Sequence, residues 1–344
     1  MSATLRGALS LPLLLALYFR GTAAQLPAQE SAILPDSLLI EVALDRYALV
    51  GMTPLRGAQK FIIPSVLLYL SIDGAPRFSS VTVRSSASVT TEYHLLGLKK
   101  TLAEELAQHV QTDLARLFRA AGMTVQLYDD VRSGSSIASI ARLPVDTMYG
   151  VPTIRMTSPR TTWAVIAPSD AQSFAGAQLR KHLAFRNLAR ETGAIVIIPE
   201  IWIQAPRVER MPLGQAGTVS VGASMEAAMD VAQAALTFIT PTGATGSITH
   251  MVPIPDVATG IGSFAQIGSD SLQYGNALSA ADLSFLSGTG IIGVSQARAP
   301  GGSRANVTSY NVMISEDNYS LGVLRGAISF LKAAVDAIQR ERAR

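Results

Sequence analysis

The sequence predicts an α+β (or α/β) fold: a mixed sheet covered by two or three amphipathic helices, with a Gly/Ser-rich insertion. Three stretches carry that reading. Leu98, Leu102, Leu106, Val110, Leu114, Leu117, Phe118 and Ala121 recur at spacings of three and four, the period of one helix face, and Met123 to Tyr128 then alternates as a strand. Ala194 to Gln204 (AIVIIPEIWIQ) is the most apolar strand candidate and is expected at the centre of the sheet. Asn318 to Arg342 closes the chain as a helix with Leu321, Leu324, Ile328, Leu331, Val335 and Ile338 on one face.

Taken in order, the chain opens with features of an export signal. Arg6, the apolar run from Leu9 to Tyr18 and the small residues Gly21 to Ala24 read as a signal peptide over 1–24, cleaved before Gln25. The run is shorter than the roughly 20 residues a membrane helix needs. No later stretch is both long and uncharged enough to span, so no transmembrane helix is expected after signal removal. Residues 25–36 form a polar, proline-punctuated lead-in, and 37–344 read as a single domain.

Within it, Ser37 to Ala43 reads as a strand, and Lys60 to Ile72 as a stronger one that Pro64 makes an edge or a bulge. Asp73-Gly74 reads as a turn. Val81 to Tyr93 alternates apolar and polar, as in a hairpin with one polar face. In the helix that follows, Thr101 and Glu104 suggest a capping box, Gly122 a left-handed stop, and Gln111 and His109 the wet side.

Residues 129–161 read as a long connection, and Thr162 to Ala167 as a short buried strand. Leu179, Leu183, Phe185 and Leu188 suggest a helix from Ala175 to Thr192, closed by Gly193. Thr218 to Met225 and Ala232 to Thr240 read as strands, with a turn at Pro241-Thr-Gly243 and a return over 246–253. Residues 256–302 turn to glycine, serine and alanine, a loop-rich insertion with room for a helix at 280–286; Tyr310 to Ile314 resumes as a strand.

Bulk chemistry narrows the function. The chain has no cysteine, which excludes disulfides, thiolate metal sites, a cysteine nucleophile and a lipid-anchoring cysteine. With an export signal, that points to a bacterial periplasm or outer surface. Loss of Arg6 and Arg20 with the leader leaves 26 basic residues against 25 acidic, so nucleic acid is not an expected partner.

Catalytic motifs are hard to find. His94, His109, His182 and His250 lie in separate elements without ligand spacing, although Glu92 and His94 share a strand face. There is no nucleophile elbow, and the glycine pairs at 243–246 and 260–262 lack a phosphate-loop lysine. Asp129-Asp130 reads as a turn or cap. Glu200, inside an apolar strand, is expected to reach a rim or bind Arg207 or Arg210. No catalytic, cofactor or metal residue is assigned.

Three stretches resemble the curli-secretion-channel family and relatives that share the fold of the N-terminal domain of the Tol translocation protein. They are HVQTDLARLFRAAGMTVQLYDDV (109–131), ETGAIVIIPEIWIQ (191–204) with AALTFITPTGATGSI (234–248), and NYSLGVLRGAISFLKAAVDAI (318–338). They cover under half of the mature chain. The lipobox cysteine is missing and 256–302 has no counterpart, so no site residue carries over. The resemblance implies an envelope location and this class of fold.

The first expectation is a non-enzymatic envelope protein acting through copies of itself or envelope partners. Next come a secreted hydrolase assembled from scattered Ser, Asp and His, and a ring-forming outer-membrane pore using 80–92 and 218–225. N-terminal sequencing of exported protein is expected to read from Gln25 or a near neighbour; an intact Met1 would refute the leader.

Overall fold

In the computed structural model, which describes residues 34–44, 48–143, 146–148, 151–157, 160–177, 182–211, 218–268, 291–300 and 302–344, Pro64 governs the layout of the sheet. Lys60–Ile72 is apolar enough for one strand, but proline has no N–H to give a ladder. The chain divides there into β2 (Lys60–Ile63) and β3 (Leu67–Gly74). Both run parallel to β10 (Ile195–Gln204), β2 against Ile195 and Val196 and β3 against Glu200 to Ile203. Pro199 of β10 falls opposite the same break, where a residue without an N–H fits.

β10 is central, as its composition suggests. Its other edge pairs antiparallel with β13 (Asp230–Ile239), which continues to β14 (Thr245–His250) and β1 (Leu49–Val50). On the β3 side the order runs through β5 (Ser85–Leu96) and β17 (Gly302–Ile314) to β15 (Ala265–Ile267). β6 (Thr124–Leu127) joins β2, and β4 (Arg77–Val81) forms the expected hairpin with β5. The long connection at 129–161 is more ordered than its composition suggests. It holds two helical turns, α2 (Tyr128–Val131) and α3 (Ser135–Ala138), then β7 (Asp146–Met148) and β8 (Val151–Thr157). β8 pairs with β9 (Arg160–Ile166), which joins β3.

A second, three-stranded sheet is built from β11 (Arg207–Met211), β12 (Val219–Glu226) and β16 (Ile291–Ala299). Val221 and Ala223 of β12 and Ala297 and Ala299 of β16 pack on Ala87 and Val89 of β5. The two alternating stretches at 80–92 and 218–225 thus bury apolar faces against each other. Residues 256–302 are accordingly not all loop, since β15 and β16 lie within them; 280–286 falls outside the described residues.

The helix α1 (Lys100–Ala120) buries Leu106, Val110, Leu114 and Phe118, and Gly122 takes the left-handed conformation expected of it (φ 74°). The closing helix α5 (Glu316–Arg342) buries Val323, Ile328, Leu331 and Val335 in the same core. Among the described residues, no helix is long and apolar enough to cross a membrane.

Several local expectations give way. α1 starts one residue before Thr101, so that hydroxyl is inside the first turn, no side chain caps the helix, and Glu104 meets Lys100 at 3.5 Å instead. Ser37–Ala43 is not a strand: after a 3₁₀ turn at Asp36–Leu38, Ile40 N–H donates to Ser329 Oγ and Arg325 to the Leu38 carbonyl, so α5 side chains replace a ladder. Asp73-Gly74 belongs to β3, not to a turn. The Ala175–Thr192 helix is broken into 3₁₀ turns at Ala175–Ala177 and His182–Phe185 and a short α4 (Arg186–Thr192). Phe185 and Leu188 are buried there, but Leu183 is exposed, so no continuous apolar face exists; Leu179 lies outside the described residues.

Gln111 corrects the helix face itself. It is buried, its Nε2 donating to the Ile63 carbonyl at 3.0 Å while its Oε1 accepts from Gln172 Nε2 at 3.1 Å. Gln172 also donates to the Pro64 carbonyl, so two amides satisfy the carbonyls of the broken stretch. His109 is half-buried, not fully wet, and burial lowers its pKa. Asp113 is buried beside Arg116, and burial outweighs that cation, raising its carboxyl to about 6. Leu114→Ala is expected to cost about 2–5 kcal/mol, and Gln111→Ala about 1–3 kcal/mol because buried carbonyls lose their donors. Urea denaturation checks both; a neutral Gln111→Ala would remove the amide from the sheet's support.

Candidate functional site

The open face of the β3–β5–β17 region brings together carboxylate, imidazole, hydroxyl and amide side chains. β5 alternates: Ala87, Val89, Thr91 and Tyr93 point inward, and Ser86, Thr90, Glu92 and His94 outward. β17 runs parallel to β5 in register, pairing Ser303 with Ser86, Ser309 with Glu92 and Asn311 with His94. Paired residues share a face, so β17 adds two serines and an asparagine to the polar side.

The registers of neighbouring strands extend this into a row. Arg155 of β8 pairs with Thr162 of β9, Thr162 with Asp73 of β3, Asp73 with His94 of β5, and His94 with Asn311 of β17. Within the row, His94 Nδ1 lies 2.9 Å from Asp73 Oδ1. That is ion-pair distance, although the angle falls short of a hydrogen bond. On its other side His94 Nε2 lies 3.4 Å from Ser309 Oγ. The imidazole side chain is 33% exposed and the carboxylate 23%, so both are within reach of a ligand.

Beside Asp73 the face dips into an open cleft of about 480 Å³, walled by Arg155, Met156, Arg160, Thr161 and Thr162 with Gly74 and Ala75. Among the described residues, neither Arg155 nor Arg160 makes an ion pair. Beneath Gly74 sits the Tyr93 ring, whose hydroxyl is fully buried and pushed up to about 12 by desolvation.

The residues singled out by sequence fall elsewhere, except His94 and Glu92. Glu200 is buried in β10 and accepts a hydrogen bond from Tyr69 Oη at 3.0 Å; Tyr69 stacks on Trp202 at 3.8 Å. Burial, then the nearby Glu200 charge, raises the Tyr69 pKa well above its ordinary value. Arg207 serves other carboxylates: it pairs with Asp230 and Asp256 and lies within 4 Å of Glu209 and Glu226. Arg210 is exposed. Asp130 caps α2 by accepting from Leu127 N–H at 2.8 Å, and Asp129 faces Arg132 at 3.4 Å. Glu92 shares the open face with His94, but among the described residues no group of three or more His, Asp or Glu is arranged to hold a metal.

Asp73 and Ser309 escape sequence reasoning because neither belongs to a motif; only strand pairing brings them to His94. No family model matches the sequence, and no curated protein matches it.

The close fit of Gly74 over Tyr93 is testable. A Cβ at Gly74 would come within 2.4 Å of the Tyr93 ring, whose neighbours leave it little room to move. Gly74→Ala is expected to destabilise the fold by about 1–3 kcal/mol, measured by urea denaturation. Unchanged stability would mean that the cleft floor adapts.

Proposed function

We propose that this chain is a cell-envelope assembly protein, exported to the periplasm or the outer membrane, that works by associating with a second copy of itself along β17. The observation that carries the reading is the edge of that strand. β17 is 13 residues long, yet β15 pairs only with Val312 to Ile314, Gly268 N–H adds a bond to the Asn311 carbonyl, and among the described residues no other strand pairs with β17 on that edge from Gly302 to Tyr310.

A long unpaired edge is a template for another strand, and proteins that stay monomeric usually blunt it with charge or proline. Ser303 to Tyr310 carries one charge, Arg304, and no proline. Val307 and Met313 add exposed apolar side chains to the strand, and Val81 adds another on β4. Antiparallel pairing of β17 with its copy makes a two-fold, self-complementary interface that continues the sheet from one protomer into the next. The leader and the resemblance to curli-secretion-channel proteins support the envelope location.

Size-exclusion chromatography with light scattering on the mature chain is expected to give a dimer or larger assembly at micromolar concentration. Val307→Lys, which places a charge at the edge, is expected to shift it to monomer without lowering the unfolding midpoint. A wild-type monomer at that concentration would overturn the proposal.

A further inference from the structure

We infer that Ser309 is an activated nucleophile for ester hydrolysis, with His94 as its base and Asp73 as the residue that positions the imidazole. This activity lies beyond association through β17 and rests on a separate observation: three neighbouring strands deliver the three groups in the order the chemistry needs. The Asp73 carboxylate lies at Nδ1 and the Ser309 hydroxyl at Nε2. A carboxylate at Nδ1 favours the tautomer with its proton there, which leaves the Nε2 lone pair facing Oγ. A polar contact with no catalytic use has no need of this order. Ser86 and Ser303, farther down the same two strands, simply exchange a hydroxyl bond at 2.8 Å.

The reaction balances without any further co-reactant. Ser309 Oγ attacks the ester carbonyl carbon as its proton passes to His94 Nε2. The carbon–oxygen bond to the leaving group breaks, and the departing oxygen takes that proton, giving an alcohol and an acyl-serine. Water, deprotonated by the same nitrogen, then attacks the acyl carbon; the products are a carboxylic acid and the restored hydroxyl.

The cleft defines the substrate class. It opens on the Asp73 side of the imidazole, and its arginines, Arg160 on β9 and Arg155 on β8, stand three and four strand spacings from β17, roughly 14–19 Å. An acyl chain reaching from Ser309 past Asp73 would bring its far end to Arg155 and Arg160. The fitting substrate is therefore an ester of a long acyl chain that ends in an anionic group.

A fluorophosphonate probe tests the nucleophile on the full mature chain, with the labelled residue located by peptide mass spectrometry. The expected result is label on Ser309, absent in Ser309→Ala and about 10²–10⁴-fold slower in His94→Gln. Asp73→Asn is expected to slow labelling and Asp73→Glu, which returns a carboxylate, to restore part of the rate; a merely structural contact would give no such rescue. Glu92 is the carboxylate that β5 itself adds to this face and serves as the control, Glu92→Gln leaving the labelling rate near its wild-type value. Folded wild-type protein that takes no label, or label that His94→Gln does not slow, would overturn the inference. For the substrate, the mono-4-nitrophenyl ester of sebacic acid is compared with 4-nitrophenyl decanoate. Replacing Arg155 and Arg160 by alanine is expected to raise KM about tenfold for the first and leave the second unchanged. Equal effects on both would overturn the anionic-chain assignment.

Discussion

The break at Pro64 is the constraint on which the sheet depends. It lies against the central strand, where Ile63 and Pro64 turn carbonyls toward the interior without a neighbouring strand to receive them. Gln111 from α1 and Gln172 from the loop after β9 supply the missing donors and bond to one another. Ser169 completes the group by donating to Gln172. Helix, loop and sheet are therefore locked by polar contacts as well as by apolar burial. Buried carbonyls left without donors would cost roughly what each hydrogen bond to them prevents.

From that anchored centre, the order of strands determines which residues meet. β3 continues past the break to place Asp73 beside His94, and β17 lies along β5 for its whole length, which brings in Ser309. The inner side of β5 is taken up by β12 and β16, where Thr91 finds a partner in Ser295, and its ionisable residues Glu92 and His94 occupy the outer side. The open face is thus a by-product of the sandwich: the same alternation that buries Ala87 and Val89 presents Glu92 and His94.

Features encoded by local period were legible in the sequence. β10 announces itself through Ile195 to Ile198, and α5 through its leucine and isoleucine stripe; both lie where periodicity places them. Gln111 was misread because a polar residue beside an apolar stripe looks solvated until a carbonyl is found opposite it. β7 and β8 were hidden inside a connection rich in serine, proline and arginine, since β8 becomes a strand by pairing with β9 and β7 by pairing with β8. The candidate site was illegible for a different reason. Ser309 and His94 are 215 positions apart, and no spacing rule reaches that far.

β17 also has a mechanical consequence. Its twelve paired positions on β5 all run in one direction, and α5 follows it directly. A pull along the strand toward the chain's C-terminus would load those rungs together in shear instead of parting them one at a time from an end. Asn306 and Tyr310 donate to the Gln296 and Val294 carbonyls of β16 and tie the smaller sheet to the same strand, so the load would be shared by both layers. Force applied through the last helix would therefore be met by the whole ladder at once.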